Sequence, residues 1–359
     1  MQGSRDSLGR LLALRRACPA RANLARAGRI LAGLALSILT LAAPARAECL
    51  GQNLFQQLPA KTRTQITAAA DATPFARGIL WRADRDGQHL VLLGTYHFAD
   101  PRHAATLAAL APFLDDAATL LVEAGPKEEA ALKAAASANP TLLFTTGATL
   151  PERMRKADWD RLKVAFQDRS IPAFLGAKFQ PWYAAVTLAL SPCAMAEAAS
   201  GARGLDQEVI GAAEARGLPV RALEPFDTVF TLFAEIPDAE QIDMILSTLP
   251  MAEHADDYTA TLADAYFDQQ PRLIWEFSRH DARRNSGLPM RVVDAQFALS
   301  EDLLMLRRNR AWMPVIEQTL TEGNAVLAVG ALHLSGKGGL LDLLERAGFA
   351  LTRLPIAAP

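Results

Sequence analysis

Residues Ile79 to His97 decide the fold, because they hold two apolar runs separated by a turn signal. Ile79-Leu80-Trp81-Arg82 and His89-Leu90-Val91-Leu92-Leu93 flank Asp86-Gly87, the pattern of a β-hairpin. The second run continues into Gly94-Thr95-Tyr96-His97, so an imidazole follows directly on a strand. Working outward, Asp100-Pro101 opens an Ala/Leu-rich helix predicted to reach about Asp116. Thr119-Leu120-Leu121-Val122 is short and wholly apolar, as a strand covered on both faces must be. It stops at Glu123, and Gly125-Pro126 breaks the chain.

From about Lys127 to Asp302 the period is mostly helical. Within that interval, Asp206 to Ala215 reads as a helix closed by Gly217. The strand-like Leu218 to Leu223 follows and ends at Glu224-Pro225. A long helix is predicted from about Val292 to Thr321, then a buried strand Ala325 to Val329, a helix Leu340 to Ala347 and a last strand Phe349 to Leu354. These elements predict an α/β fold: a mixed, mainly parallel sheet flanked by helices. Two α/β halves are separated by a large helical insertion at about 127–302, all within one domain at 48–359. No low-complexity linker marks a domain boundary.

The first 47 residues read as an export signal. Seven arginines precede Ile30, an apolar run reaches Ala43, and Ala45-Arg46-Ala47 has the small–x–small cleavage pattern. The run is short for a membrane span, which needs roughly 20 apolar residues. A retained, buried N-terminal helix is the alternative. Cys49 lacks the small preceding residue of a lipobox, since Glu48 stands there. The expectation is a periplasmic or secreted protein beginning at Glu48, with no transmembrane anchor after cleavage. The leader removes 8 of 37 basic and 1 of 39 acidic residues, leaving 29 against 38, a net charge of −9. Such a chain repels phosphate backbones, and nucleic acid is not an expected partner. Of three cysteines, Cys18 leaves with the leader, so Cys49 and Cys193 are expected to pair in an oxidising compartment.

Chemistry concentrates at strand ends. His97 and Glu123 each follow an apolar strand, Glu224 follows a third, and His333 follows a fourth as Val329-Gly330-Ala331-Leu332-His333. Ligands of open parallel sheets bind beyond the carboxyl ends of the strands, so these four groups are expected to converge. Two imidazoles with carboxylates suit a divalent metal, which lowers the pKa of bound water. The competing reading is that strand ends meet water and their ionisable residues are merely solvated.

Other chemistries fail on spacing. Ser335-Gly336-Lys337-Gly338 lacks the phosphate-loop register and its Ser/Thr, and neither a His-Glu-x-x-His helix nor a Gly-x-Ser-x-Gly elbow occurs. His89, His103, His254 and His280 have no repeated context and read as surface or satisfied histidines. Asn309, beside Arg308 on the long helix, is placed to orient a ligand by a hydrogen bond. Asp206 reads as a helix cap worth ~1 kcal/mol.

Taken in order, Leu93-Gly94-Thr95-Tyr96-His97, Leu121-Val122-Glu123, Gly204-Leu205-Asp206, Leu223-Glu224, Arg308-Asn309 and Val329-Gly330-Ala331-Leu332-His333-Leu334 with Gly336 resemble the TraB/GumN family. The resemblance covers roughly Ile79 to Leu354. That family is related to the Tiki proteins and to the erythromycin esterase/ChaN-like group. The resemblance implies an α/β fold with a metalloprotease-like site built on paired Gly-x-x-His motifs and a glutamate. It carries His97, Glu123 and His333 over as metal ligands, with Glu123 as ligand or base, and Glu224, Arg308 and Asn309 as groups that orient those ligands or as further ligands. Tyr96 and Leu332 depart from the residues usual in those slots, which alters pocket shape without removing ligands. The implied activity is metal-dependent hydrolysis (Zn, Mn or Co) of a peptide or small-molecule substrate. The alternative is a periplasmic binding protein that takes haem or another small ligand in the same pocket without turnover.

Overall fold

In the computed structural model of the chain, residues 51–357 are described, and they fall within one compact unit. Six strands form one sheet in the order β4-β3-β5-β2-β1-β6. They are β1 Leu80–Arg85, β2 Gln88–Thr95, β3 Thr119–Val122, β4 Val220–Ala222, β5 Ala325–Gly330 and β6 Ala350–Arg353. The expected hairpin is present, with Leu80 opposite Leu93 and Arg85 opposite Gln88 across Asp86-Gly87. Asp86 and Gly87 both have positive φ, 49° and 81°, as a tight hairpin turn demands.

β2 pairs in parallel with β5, β5 with β3, and β3 with β4, while β1 pairs antiparallel with β2 and β6. The sheet is therefore mixed and mostly parallel, as the alternation of strands and helices predicts. Four parallel strands share one carboxyl edge, and four of the expected site residues lie just past it.

Alternation along the strands explains why these runs are apolar throughout. Val91, Leu93, Leu120, Val122, Val326 and Ala328 face one way, onto Leu110 and Leu114 of helix His103–Asp116 and Leu205 and Val209 of helix Leu205–Glu214. Leu90, Leu92, Leu121, Leu327 and Val329 face the other way, onto Trp312, Ile316 and Leu320 of helix Arg307–Leu320 and Leu340 and Leu344 of helix Leu340–Arg346. Each fully buried leucine contributes about 1.5–3 kcal/mol relative to exposure. Trading one for a charge would strip packing from a strand with no wet face to receive it.

The interval expected as a helical insertion contains β4, which joins the main sheet, so the helices lie on either side of that strand in sequence. One group packs on its own core of Leu150, Leu162, Phe166, Phe179, Leu188, Ile245 and Leu249, apart from the sheet clusters. The long helix expected from Val292 to Thr321 is not regular. Helix Met290–Glu301 and helix Arg307–Leu320 are joined by a π-helical segment, Asp302–Leu306. A π-turn adds a residue per turn and so resets which side chains face the sheet edge; here it immediately precedes Arg308.

Met1 to Ala47, Glu48 and Cys49 lie outside the described residues, and with them the expected leader and the Cys49 half of the expected disulfide. Among the described residues no helix is long and apolar enough to cross a membrane.

Candidate functional site at the carboxyl edge of the sheet

β2 delivers His97 to the edge and two close approaches fix it there. The Leu205 N–H donates to the Tyr96 carbonyl at 3.0 Å, docking the start of helix Leu205–Glu214 on the strand end. A Cβ at Gly204 would fall 2.0 Å from the His97 carbonyl oxygen, so only glycine allows this approach. The docking brings Asp206 beneath the imidazole. Its Oδ2 accepts from His97 Nδ1 at 2.7 Å, and its Oδ1 accepts from the Thr95 hydroxyl. Asp206 does not cap its own helix: Gly204 is the N-cap and makes no side-chain capping bond. The capping expectation is thus corrected. The helix start is satisfied by the strand, which frees the carboxylate to orient a histidine.

His333 is held by a different device. Asn309 Nδ2 donates to the carbonyls of His333 and Gly338, both at 3.1 Å. With the amide nitrogen so committed, Asn309 Oδ1 must be the acceptor 2.7 Å from His333 Nδ1. His333 therefore carries its proton on Nδ1 and its lone pair on Nε2. The Trp312 ring lies against the imidazole, with centroids 4.5 Å apart. Arg308, Asn309 and Trp312 sit at i, i+1 and i+4 on one helix and act on the same site.

Glu123 stands between the two histidines. Its Oε1 accepts from the Gly330 N–H at 2.7 Å and lies 3.7 Å from His333 Nε2. A Cβ at Gly330 would sit 3.3 Å from both Glu123 Oε1 and His97 Nε2, so those two atoms flank the bare glycine. Arg308 Nη2 donates to Glu123 Oε2 and to Glu224 Oε1, each at 2.6 Å, and Arg308 Nε donates to Glu224 Oε2 at 2.9 Å. Trp312 Nε1 also donates to Glu224 Oε2, at 2.9 Å. The guanidinium thus binds Glu224 as a fork and bridges it to Glu123, a geometry that lysine cannot reproduce.

The charges follow from these contacts. The Asp206 carboxylate raises His97 to about 9, against the opposing effect of burial, with help from its hydrogen bond and from Glu123. The His97 side chain is 64% accessible at the sheet edge. Burial pushes His333 down to about 4, and Arg308 adds to this while Glu123 opposes it. Burial alone would raise Glu123, but the charges of His333, Arg308 and His97 and the Gly330 N–H bring it down to about 2. At neutral pH the site thus has a charged His97, an ionised Glu123 and a neutral His333.

The fold assembles all six expected residues, His97, Glu123, Glu224, Arg308, Asn309 and His333, at one edge. Among the described residues, no group of three or more His, Cys, Asp or Glu side chains stands at metal-ligating spacing. His103 remains apart: it is buried, and its Nε2 pairs with the Phe98 carbonyl at 2.8 Å. His89 pairs with Asp84 on the hairpin. Sequence reasoning missed Thr95 and Trp312 and misassigned Asp206; the signal for Asp206 was its place in the ordered motif Gly204-Leu205-Asp206.

Two curated relatives are 25% identical over 258 residues, covering 72% of this chain and 88% of each relative. They are the proteins YbaP of Escherichia coli strain K12 and of Shigella flexneri, both described as uncharacterized. Residues 79–353, which include every strand and every site residue above, match the TraB/PrgY/gumN family, and the chain belongs to that family.

Proposed function

We propose that the chain is a metal-dependent hydrolase, acting on peptides, in which His97, Glu123 and His333 hold a divalent ion. The observation that carries this reading is that both imidazoles commit Nδ1 to an oxygen acceptor, Asp206 or Asn309, and leave Nε2 beside the same carboxylate. Metal-binding histidines are held in this way, with the second nitrogen fixing tautomer and ring orientation. The donor set, two imidazoles and a carboxylate, suits Zn, Mn or Co. Bound there, the ion supplies Lewis acidity toward water or a carbonyl oxygen.

The remaining work falls to the chain's own groups. Glu123 serves as ligand or as proton acceptor, and a single bond from Arg308 Nη2 to its Oε2 keeps that carboxylate ionised and fixed. Arg308 Nη1 donates to the Leu304 carbonyl at 3.1 Å and lies 3.4 Å from His333 Nε2, which holds the guanidinium against that ring. Asp206 favours a protonated His97, so His97 must release a proton before it can act as a ligand. Export to the periplasm and the Cys49–Cys193 disulfide belong to the same proposal.

One observation favours the second reading, a binding protein without turnover. Both Glu123 oxygens already carry hydrogen bonds, from Gly330 and Arg308, which compete with a cation. His97→Ala, His333→Ala and Glu123→Gln separate the two. Metal content, peptidase activity and melting temperature are measured on each. The hydrolase reading expects both alanine variants to lose metal and activity with the fold intact, and Glu123→Gln to lose turnover chiefly. Wild-type metal content in all three refutes the ligand assignment. Loss of metal with continued binding of haem or another small ligand favours the second reading.

A further inference from the structure

β4 ends the sheet two strands from β5, and among the described residues no strand pairs with its outer edge. Its bonds to β3 run through alternate residues. The Pro219 carbonyl accepts from Leu120 N–H at 2.9 Å, and Leu223 N–H donates to the Val122 carbonyl at 2.8 Å. Val220 stands opposite Leu120 and Ala222 opposite Val122. In a parallel ladder of that phase, the N–H and C=O of Val220 and Ala222 point away from β3. Neither residue's backbone has a hydrogen-bond partner beyond that side among the described residues. An open edge of this kind is a template for a further strand, and proteins usually blunt it with a charge or cover it. Here the one charged side chain of β4 is drawn elsewhere: Arg221 is held by Glu322 at 2.7 Å and by the Thr319 hydroxyl at 3.0 Å.

A cleft of about 650 Å³ lies along this edge. It is lined by Gly125 to Glu128, at the start of helix Pro126–Ala138, and by Leu218 and Val220 to Pro225. Glu224, the carboxylate that Arg308 ties to Glu123, is among its lining residues. Strands in a sheet are about 4.8 Å apart, so a chain lying on β4 would leave the carboxyl edge roughly 10 Å from the end of β3, where Glu123 stands.

We infer that this cleft seats an extended peptide as a seventh strand on β4, which delivers its backbone past Glu224 to the catalytic cluster. The inference rests on the peptidase reading for its choice of occupant and extends it to a mode of recognition. Pairing through Val220 and Ala222 reads backbone rather than side chains, so it selects unfolded or extended substrates with little demand on sequence.

The test uses the mature protein carrying Glu123→Gln, so that binding is measured without cleavage. The probes are a fluorescent pool of proline-free synthetic octapeptides and the same pool N-methylated at alternate residues. The expected result is saturable binding of the first pool, with slowed amide exchange at Val220 and Ala222, and at least ten-fold weaker binding of the methylated pool. Ala222→Pro removes an outward N–H without touching the bonds to β3, and should weaken binding as much. Ala222→Val keeps the N–H and should bind as before. Binding that leaves both amides unprotected, or is indifferent to N-methylation and to Ala222→Pro, overturns strand pairing while leaving the peptidase reading intact. No binding of either pool also overturns it, and cleavage by the unmodified protein then judges the peptidase reading separately. A dimer abolished by Ala222→Pro would assign the edge to a second copy of the chain and overturn the inference.

Discussion

Asp206 Oδ2 stands 2.7 Å from His97 Nδ1, and the same carboxylate holds the Thr95 hydroxyl two residues earlier on β2. One carboxylate thus fixes both the strand end and the orientation of the histidine. Asp206→Asn should lower the His97 pKa from about 9 toward its usual value, because the attraction that stabilises the charged ring is gone. Ring-proton NMR titration measures this directly. A pKa that stays near 9 would mean that Asp206 is not the cause.

Arg308 is the sole cation between Glu123 and Glu224 in this network, and its side chain is 11% exposed. Arg308→Met should remove the charge that bridges the two carboxylates and cost roughly 3–5 kcal/mol of stability. Glu123 should then titrate well above 2, since one of the charges holding it down has been removed. Arg308→Lys should recover only part of the loss, lacking the fork. Urea denaturation of the three proteins at neutral pH is the measurement, and equal midpoints would contradict the assignment.

Acid should weaken the protein in two stages. His333 is depressed in the fold to about 4 from an ordinary value near 6.5, so the unfolded chain takes up its proton first. Stability from this group is complete above about 6.5 and declines as pH falls toward 4, by up to about 3 kcal/mol. Glu123, also depressed, contributes stability above its ordinary value of 4.5 that is lost as pH falls through about 2. Denaturation midpoints across pH 7 to 3 should therefore fall already between 6.5 and 4. In His333→Gln that first decline should vanish, and the second should shrink, because the His333 charge is one of those that hold Glu123 down.

The exported protein should begin at Glu48 and carry a Cys49–Cys193 bridge. Intact mass before and after reduction, with peptide mapping, checks both. A mass that includes Ile30 to Ala43 would refute the cleavage site, and two alkylatable thiols would refute the bridge.

The amino-acid sequence by itself determined the sheet and the edge that bears the site. The wholly apolar runs Thr119 to Val122 and Ala325 to Val329 require cover on both faces, and the hairpin turn Asp86-Gly87 sets its own register. Ionisable residues placed just after such strands, His97, Glu123, Glu224 and His333, can only emerge at the carboxyl edge. Local pattern suffices there because burial and alternation are properties of neighbouring residues. The partner of each site group was a matter for the tertiary structure. Asp206 could cap its helix or orient His97, and the choice fell to the close approach that Gly204 allows between that helix and Tyr96. The π-helical turn before Arg308 left no legible period, yet it precedes the face on which Arg308 and Asn309 meet Glu123 and His333. These contacts join residues far apart in sequence, and their geometry depends on how helices settle against a finished sheet, which no local pattern encodes.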